Sequence, residues 1–248
     1  MNNGDNKGSI WRVWDLHVHS PATYGGEYQT FIDNAKVSKA SVIRMHNLLT
    51  TKKNPNGVKI NFHIIFDNTP EVLPKISNWV SSLKCLDEKA NPIQLGTATD
   101  LSKVSFDFEY VVESLKEFKL YDTHSLIWLP YDEYGGIDEI DPITDGIFKL
   151  SLINKSHIIG SSTKKQIDFF NWTDPKYSLA DYKSWFTKPK PCIKGSDAHK
   201  IDYPFGLLQN HLSQPIDKHC WICADLTFKG LKQIVVEPER VFIGDDLI

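Results

Sequence analysis

Cysteine is scarce in this chain, at four in 248 residues, and methionine is rarer still at two. Four thiols over such a length make no disulfide scaffold, so a reducing cytoplasm is the expected compartment. Long apolar runs are also missing. The longest, such as "FHIIF" (62–66), are far too short to cross a bilayer, and no membrane association is expected. The opening "MNNGDNKGS" is polar, carries no apolar h-region of a signal peptide, and predicts a flexible stretch over 1–10. A large charge of one sign is absent as well. The formal net charge of −3 gives no global attraction to nucleic acid. Basic residues gather only locally, at 50–59, 162–166 and 187–194, and each stretch taken alone reads as a solvated loop. No repeat, low-complexity tract or Gly/Ser linker divides the chain. No G-x-x-x-x-G-K-[ST] occurs, so no phosphate-binding loop of that kind is present.

What remains is an ordinary globular composition, 41% apolar and 24% charged, in a chain long enough for one large core. A single domain over 11–248 is expected. Strand-like runs alternate with helical patterns: "WRVWDLHV" and "VKINFHIIF" read as strands. In "PEVLPKISNWVSSLKCL", Val72, Leu73, Ile76, Trp79, Val80 and Leu83 keep helical spacing. Pro70 and Pro74 suit the start of that helix. Then follow "EYVVESLKEF" (helix), "HSLIWLP" and "HIIGSS" (strands), "KKQIDFF" (helix), "PCIKGSD" (strand), "FKGLKQIV" (helix) and "RVFIG" (strand). Such alternation predicts an α/β fold, either a barrel or an open parallel sheet. In both, functional residues collect at the carboxyl ends of strands.

Two strand ends carry paired ligand types. In "WDLHVHSPATYGG" (14–26), His17 and His19 stand two apart and share one face of the strand, which Pro21 and Gly25-Gly26 then stop. In "KPCIKGSDAHK" (190–200), Asp197 and His199 repeat the spacing after another strand, with Gly195 allowing close backbone approach. An isolated H-x-H is a weak signal; two such pairs at strand ends are a stronger one. Imidazole with carboxylate suits Zn²⁺, Mn²⁺ or Fe²⁺, and a bridging carboxylate is what a multi-metal hydrolase needs.

"DLHVHSPA" and "KGSDAH" resemble the first and last motifs of the PHP (polymerase and histidinol phosphatase) superfamily. The similarity is greatest to the N-terminal PHP domains of TrlF-like, SMC-related ATPases. There "INFHIIF", "LPYDEYGGIDEIDP", "IIGSS", "QIDFF" and a segment like "CWICADLTFKGLKQIVVEPERVFIG" recur in the same order, covering nearly the whole chain. The resemblance implies a distorted (β/α)7 barrel of the TIM-like kind, with two to three divalent ions, zinc or manganese, at its carboxyl rim. His17 and His19 would bind one metal, Asp197 and His199 would complete the cluster, and His63 in "INFHIIF" would be a further ligand. The bland alternative for His63 is packing beside Phe62 and Phe66.

The sequence departs from that family between "FIDNAK" and "VKINFHIIF". A helix, a strand ending in a "GITD"-like motif, a second helix and a strand with a metal-bridging glutamate are expected, where only "VSKASVIRMHNLLTTKKNPNG" stands. No Asp or Glu occurs from 34 to 66. Val42 occupies the acid's place, Arg44 falls where the family often has arginine, and His46 is the nearest imidazole that could stand in. The barrel is incomplete if nothing else fills this interval.

Asp132 and Glu133 in "LPYDEYGGIDEIDP" follow a strand and are additional candidates to coordinate metal or orient water. A Gly-containing turn with acids preceding a helix is the structural alternative. Cys220 and Cys223 form a C-x-x-C with no second pair, and residues three apart on an extended segment face opposite sides, so buried thiols are expected. His124, His157 and His211 lack a spacing partner and read as surface or packing residues. The expectation is a metal-dependent phosphoesterase in which Asp197 and His199 serve the chemistry, while Lys194 and Arg44 clamp phosphate. The ATPase resemblance favours a nuclease working with an SMC-like or AAA-type ATPase, in DNA repair or antiphage defence, with homo-oligomerisation left open. The alternatives are a catalytically degenerate PHP domain acting as a regulatory or interaction module, and a small-molecule phosphomonoesterase of the histidinol-phosphatase type.

Overall fold

The computed structural model of the protein describes residues 10–16, 40–49, 58–98, 103–133, 135–198, 203–210 and 214–245, with only the backbone for 40–49, 58 and 59. In chain order the elements begin with β1 (Trp11–Val13), β2 (Ala40–Leu49), β3 (Val58–Asp67), α1 (Leu73–Ser82), β4 (Lys84–Leu86) and β5 (Pro92–Gln94). They continue with α2 (Phe108–Glu117), β6 (Ser125–Pro130), α3 (Gly146–Lys155), β7 (Ile158–Gly160), α4 (Lys164–Phe170) and α5 (Leu179–Trp185). The last are β8 (Cys192–Ile193), β9 (Leu207–Gln209), β10 (Pro215–Cys223), α6 (Phe228–Val236) and β11 (Val241–Gly244). The class is mixed α/β. Among the described residues no helix is long and apolar enough to cross a membrane.

The chain divides into two units. One comprises Ala40–Ile159 and Lys183–Thr187. Here β2 and β3 pair antiparallel from Ala40↔Asp67 to Leu49↔Val58, and β3 pairs antiparallel with β6, placing His63 opposite Trp128. This corrects the expectation of parallel pairing. Residues 50–57 are too few for the crossover of a dozen or more residues that a parallel pair requires. Every residue from Ile60 to Phe66, and all of β6, is buried, as the near-continuous apolar runs of strands covered on both faces demand. On one face Phe62 meets Phe108 of α2 edge-on at 5.1 Å, and Phe66 meets Trp79 of α1 at 5.4 Å. α1 buries Ile76 and Trp79, accommodates Pro74 in its first turn, and is tied to α2 by Trp79 Nε1 donating to Ser114 Oγ at 2.9 Å. Asp107 caps α2 by accepting the Tyr110 N–H at 2.7 Å.

The other unit comprises Met1–Lys39, Gly160–Tyr182 and Lys188–Ile248. Its sheet runs β1-β10-β11 with β9 also on β10, all antiparallel. Trp14, Cys220 and Ile222 are buried, as are Leu231 and Ile234 of α6, whose Thr227 cap accepts the Gly230 N–H at 3.0 Å. α4 leads into an aromatic cluster in which Trp172 stacks on Tyr182 at 5.7 Å, and the Lys190 N–H donates to the Phe170 carbonyl at 2.8 Å. Lys190 is 1% exposed. The stretch 187–194 is therefore not the uniformly solvated loop its charge suggests.

Candidate functional site

Asp15, at the head of the first motif, and Ser196 of the last are brought together in this second unit. Beyond β1 the strand pairing continues, with the Trp14 N–H donating to the Cys220 carbonyl at 2.9 Å. That places the next residue, Asp15, where its Oδ1 accepts the Ser196 N–H at 2.9 Å, across 181 positions of sequence. Ser196 lies just past β8, in the turn that carries Lys194 and Asp197. It is fully buried, and its Oγ accepts the Ala198 N–H at 3.2 Å. Asp197 has φ of 54°, in the left-handed region that non-glycine residues enter sparingly. Its carbonyl accepts from Gln209 Nε2 of β9 at 3.3 Å. β9 is entered through Gly206 at φ +68°, where a Cβ would overlap Val13 Cγ1, so β1 and β9 can approach only with glycine there.

The local field is set by burial and by Asp15. Burial, then the Asp15 charge, pushes the Tyr203 hydroxyl up. The Cys220 thiol is pushed to about 12, chiefly by burial and further by Asp15, against a backbone hydrogen bond with Lys194. Such a thiol stays protonated at neutral pH, as buried structural cysteines do. Cys220 and Cys223 are both free and buried, as expected.

Of the residues singled out by sequence, Asp197 and Lys194 fall in this unit, both half-buried. His17, His19 and His199 lie outside the described residues, as does His211. Arg44, His63, Asp132 and Glu133 belong to the other unit. Arg44 and His63 are register partners across β2 and β3, and His46 is the partner of Asn61. The His63 ring, 3% exposed, tilts against Trp128 at 4.9 Å. It does not pack beside Phe62 and Phe66, because alternation sends those two to the opposite face.

Asp132 and Glu133 sit in a tight turn after β6. The Gly136 N–H donates to the Glu133 carbonyl at 2.7 Å, and the Asn61 N–H donates to the Gly135 carbonyl at 2.7 Å. Burial and then the Asp132 charge raise the pKa of Asp138, with Lys149 opposing. Lys149, whose Nζ lies 5.1 Å over the Tyr131 ring, is itself lowered by burial against the pull of Asp138 and Asp141. The acids sit in this Gly-containing turn, which leads directly into a 3-10 helix at Ile137–Glu139, well ahead of α3. His157 packs inside the same unit with its Nδ1 accepting the Ile127 N–H at 2.8 Å and its Nε2 facing Asp122.

Among the described residues no three His, Cys, Asp or Glu side chains converge on a point that could hold an ion. The donor set fits a divalent cation in its chemistry. Carboxylate oxygen is supplied at Asp197, on a turn held by hydrogen bonds with Asp15 and Gln209, and in the sequence histidines stand two residues beyond Asp15 and Asp197. Sequence reasoning missed Asp15, Gln209 and Tyr203. Asp15 carried a usable signal, since 15, 17 and 19 share strand parity; Gln209 and Tyr203 carried none. Comparison with family models, with curated proteins and with solved structures gave no match to this chain.

Proposed function

We propose that the protein is a metal-dependent phosphoesterase of the PHP type. The observation that carries this reading is the Asp15–Ser196 hydrogen bond, which ties the stretch bearing His17 and His19 to the turn bearing Asp197 and leading to His199. In this reading those four residues hold zinc or manganese, two to three ions in all. The bound ions supply Lewis acidity toward phosphoryl oxygens and lower the pKa of a water to near neutrality. Lys194, in the turn itself, offers the substrate phosphate a point charge, and Asp15 keeps the two stretches in register. Arg44, His63, Asp132 and Glu133 stand in the other unit, and the reading does not depend on them.

A nucleic-acid phosphodiester is the preferred substrate, in partnership with an SMC-like or AAA-type ATPase in the cytoplasm. That preference rests on the sequence resemblance alone, as does the distorted (β/α)7 barrel that accompanies it. The antiparallel pairings of β2-β3-β6 and of β1, β9, β10 and β11 are alike in departing from the parallel strands of such a barrel.

One observation favours a second reading, a degenerate PHP domain serving as an interaction module. β2 and β3 are immediate neighbours in an unbroken antiparallel register, and Val42 of β2 stands where the family resemblance places the metal-bridging glutamate. Turnover of bis-p-nitrophenyl phosphate with added Mn²⁺ separates the two. Activity lost in both His17→Ala and His199→Ala supports the hydrolase. A folded, metal-free and inactive wild-type protein supports the module. Comparing a phosphomonoester with an oligonucleotide then distinguishes a small-molecule phosphatase from a nuclease.

A further inference from the structure

Three hydrogen bonds hold the turn after β8, two of them from separate segments. Asp15 reaches it from the continuation of β1 through the Ser196 N–H at 2.9 Å. Ser196 Oγ closes it from within on the Ala198 N–H at 3.2 Å. Gln209 reaches it from β9 through the Asp197 carbonyl at 3.3 Å. Ser196, Ala198 and Gln209 are all buried, so little water competes for these bonds. Between them Asp197 takes φ of 54°. A side-chain-bearing residue stays in that region where its surroundings over-determine it. A left-handed backbone also turns the Cα–Cβ bond away from the direction an extended continuation of β8 would give. The aim of the Asp197 carboxylate therefore depends on this backbone being held.

We propose that Asp15 and Gln209 are positioning residues for Asp197. Neither needs to touch the ion: Asp15 fixes the amide before Asp197 and Gln209 fixes its carbonyl, and together they set the direction of its carboxylate. This rests on the reading of Asp197 as a metal ligand. Outer partners that orient ligands typically contribute about ten- to hundredfold in metal affinity.

The test is Mn²⁺ binding to the full chain, read from the free-ion electron paramagnetic resonance signal, with circular dichroism reporting the fold. The set is wild type, Asp197→Ala, Asp15→Ala, Asp15→Asn and Gln209→Leu. Asp15→Ala and Gln209→Leu are each expected to weaken Mn²⁺ binding about ten- to hundredfold. Asp15→Asn keeps an oxygen for the Ser196 N–H and is expected to recover most of that loss, which a general destabilisation of the fold would not reproduce. Should Asp15→Ala and Gln209→Leu be folded and bind as wild type while Asp197→Ala does not, the positioning role is overturned and the metal reading stands. Absence of Mn²⁺ binding by wild type, or its survival in Asp197→Ala, overturns the metal reading and the positioning role with it.

Discussion

Replacing Gly206 by alanine probes how closely β1 approaches β9, the contact that delivers Asp15 to the turn after β8. Two costs add. The backbone there has φ of +68°, and an L side chain in that region costs about 1–2 kcal/mol. The new Cβ also overlaps Val13 Cγ1, and forcing a methyl into an occupied site costs typically about 1–3 kcal/mol. The single variant is therefore expected to lose roughly 2–5 kcal/mol. Val13→Ala removes the obstructing Cγ1 from a half-buried residue at a cost of about 1 kcal/mol. In the double variant only the backbone cost and the Val13 loss remain, so its destabilisation falls short of the sum by about 1–3 kcal/mol. Urea unfolding followed by tryptophan fluorescence, at constant m, measures all three differences. Additivity within about 0.5 kcal/mol would show that the two residues are not in contact, and the described approach of β1 to β9 would be wrong.

Alkaline pH should destabilise the protein through Cys220. Its thiol ionises at about 12 in the fold against 9.0 as the reference value, so its contribution is fully present below about pH 9 and is lost as pH rises toward 12. Stability measured from pH 8 to 11 should fall, and Cys220→Ala should flatten part of that slope; an identical slope in the variant refutes the assignment. Tyr121, raised to about 12 chiefly by burial and further by Asp122 and Glu113, works in the same direction. In the other unit, His157→Ala leaves the Ile127 N–H without its imidazole acceptor and opens a cavity at a buried site. The expected loss is about 2–4 kcal/mol by thermal or urea unfolding, and a loss below about 0.5 kcal/mol would contradict the described hydrogen bond.

Elements with a clean local signal were legible in the sequence. β3 and β6 announce themselves as predominantly apolar, β-branched and aromatic runs, and α6 by its spacing of Phe228, Leu231, Ile234 and Val235, all buried. α3 was not anticipated because its apolar residues encircle the helix: Leu152 is buried while Ile147 is 89% exposed, so no stripe stands out. β10 was seen only as an extended setting for Cys220 and Cys223. Its first half, "PIDKH", is polar and mostly exposed, and mimics a loop. Strand direction is invisible to periodicity, which is why the antiparallel β2-β3-β6 pairing differs from the parallel expectation. For the candidate site, the two H-x-H-like pairs drew attention to the stretches that contain Asp15 and Ser196, which hydrogen-bond to each other. Asp15 shares strand parity with His17 and His19, but its hydrogen bond with the Ser196 amide spans 181 residues, which local spacing does not predict.

Anomalous diffraction from crystals grown with Mn²⁺ bears most directly on whether the two stretches share a cation. The account predicts a peak with coordinating atoms from both His17/His19 and Asp197/His199. No peak, or one held by a single stretch alone, would contradict it.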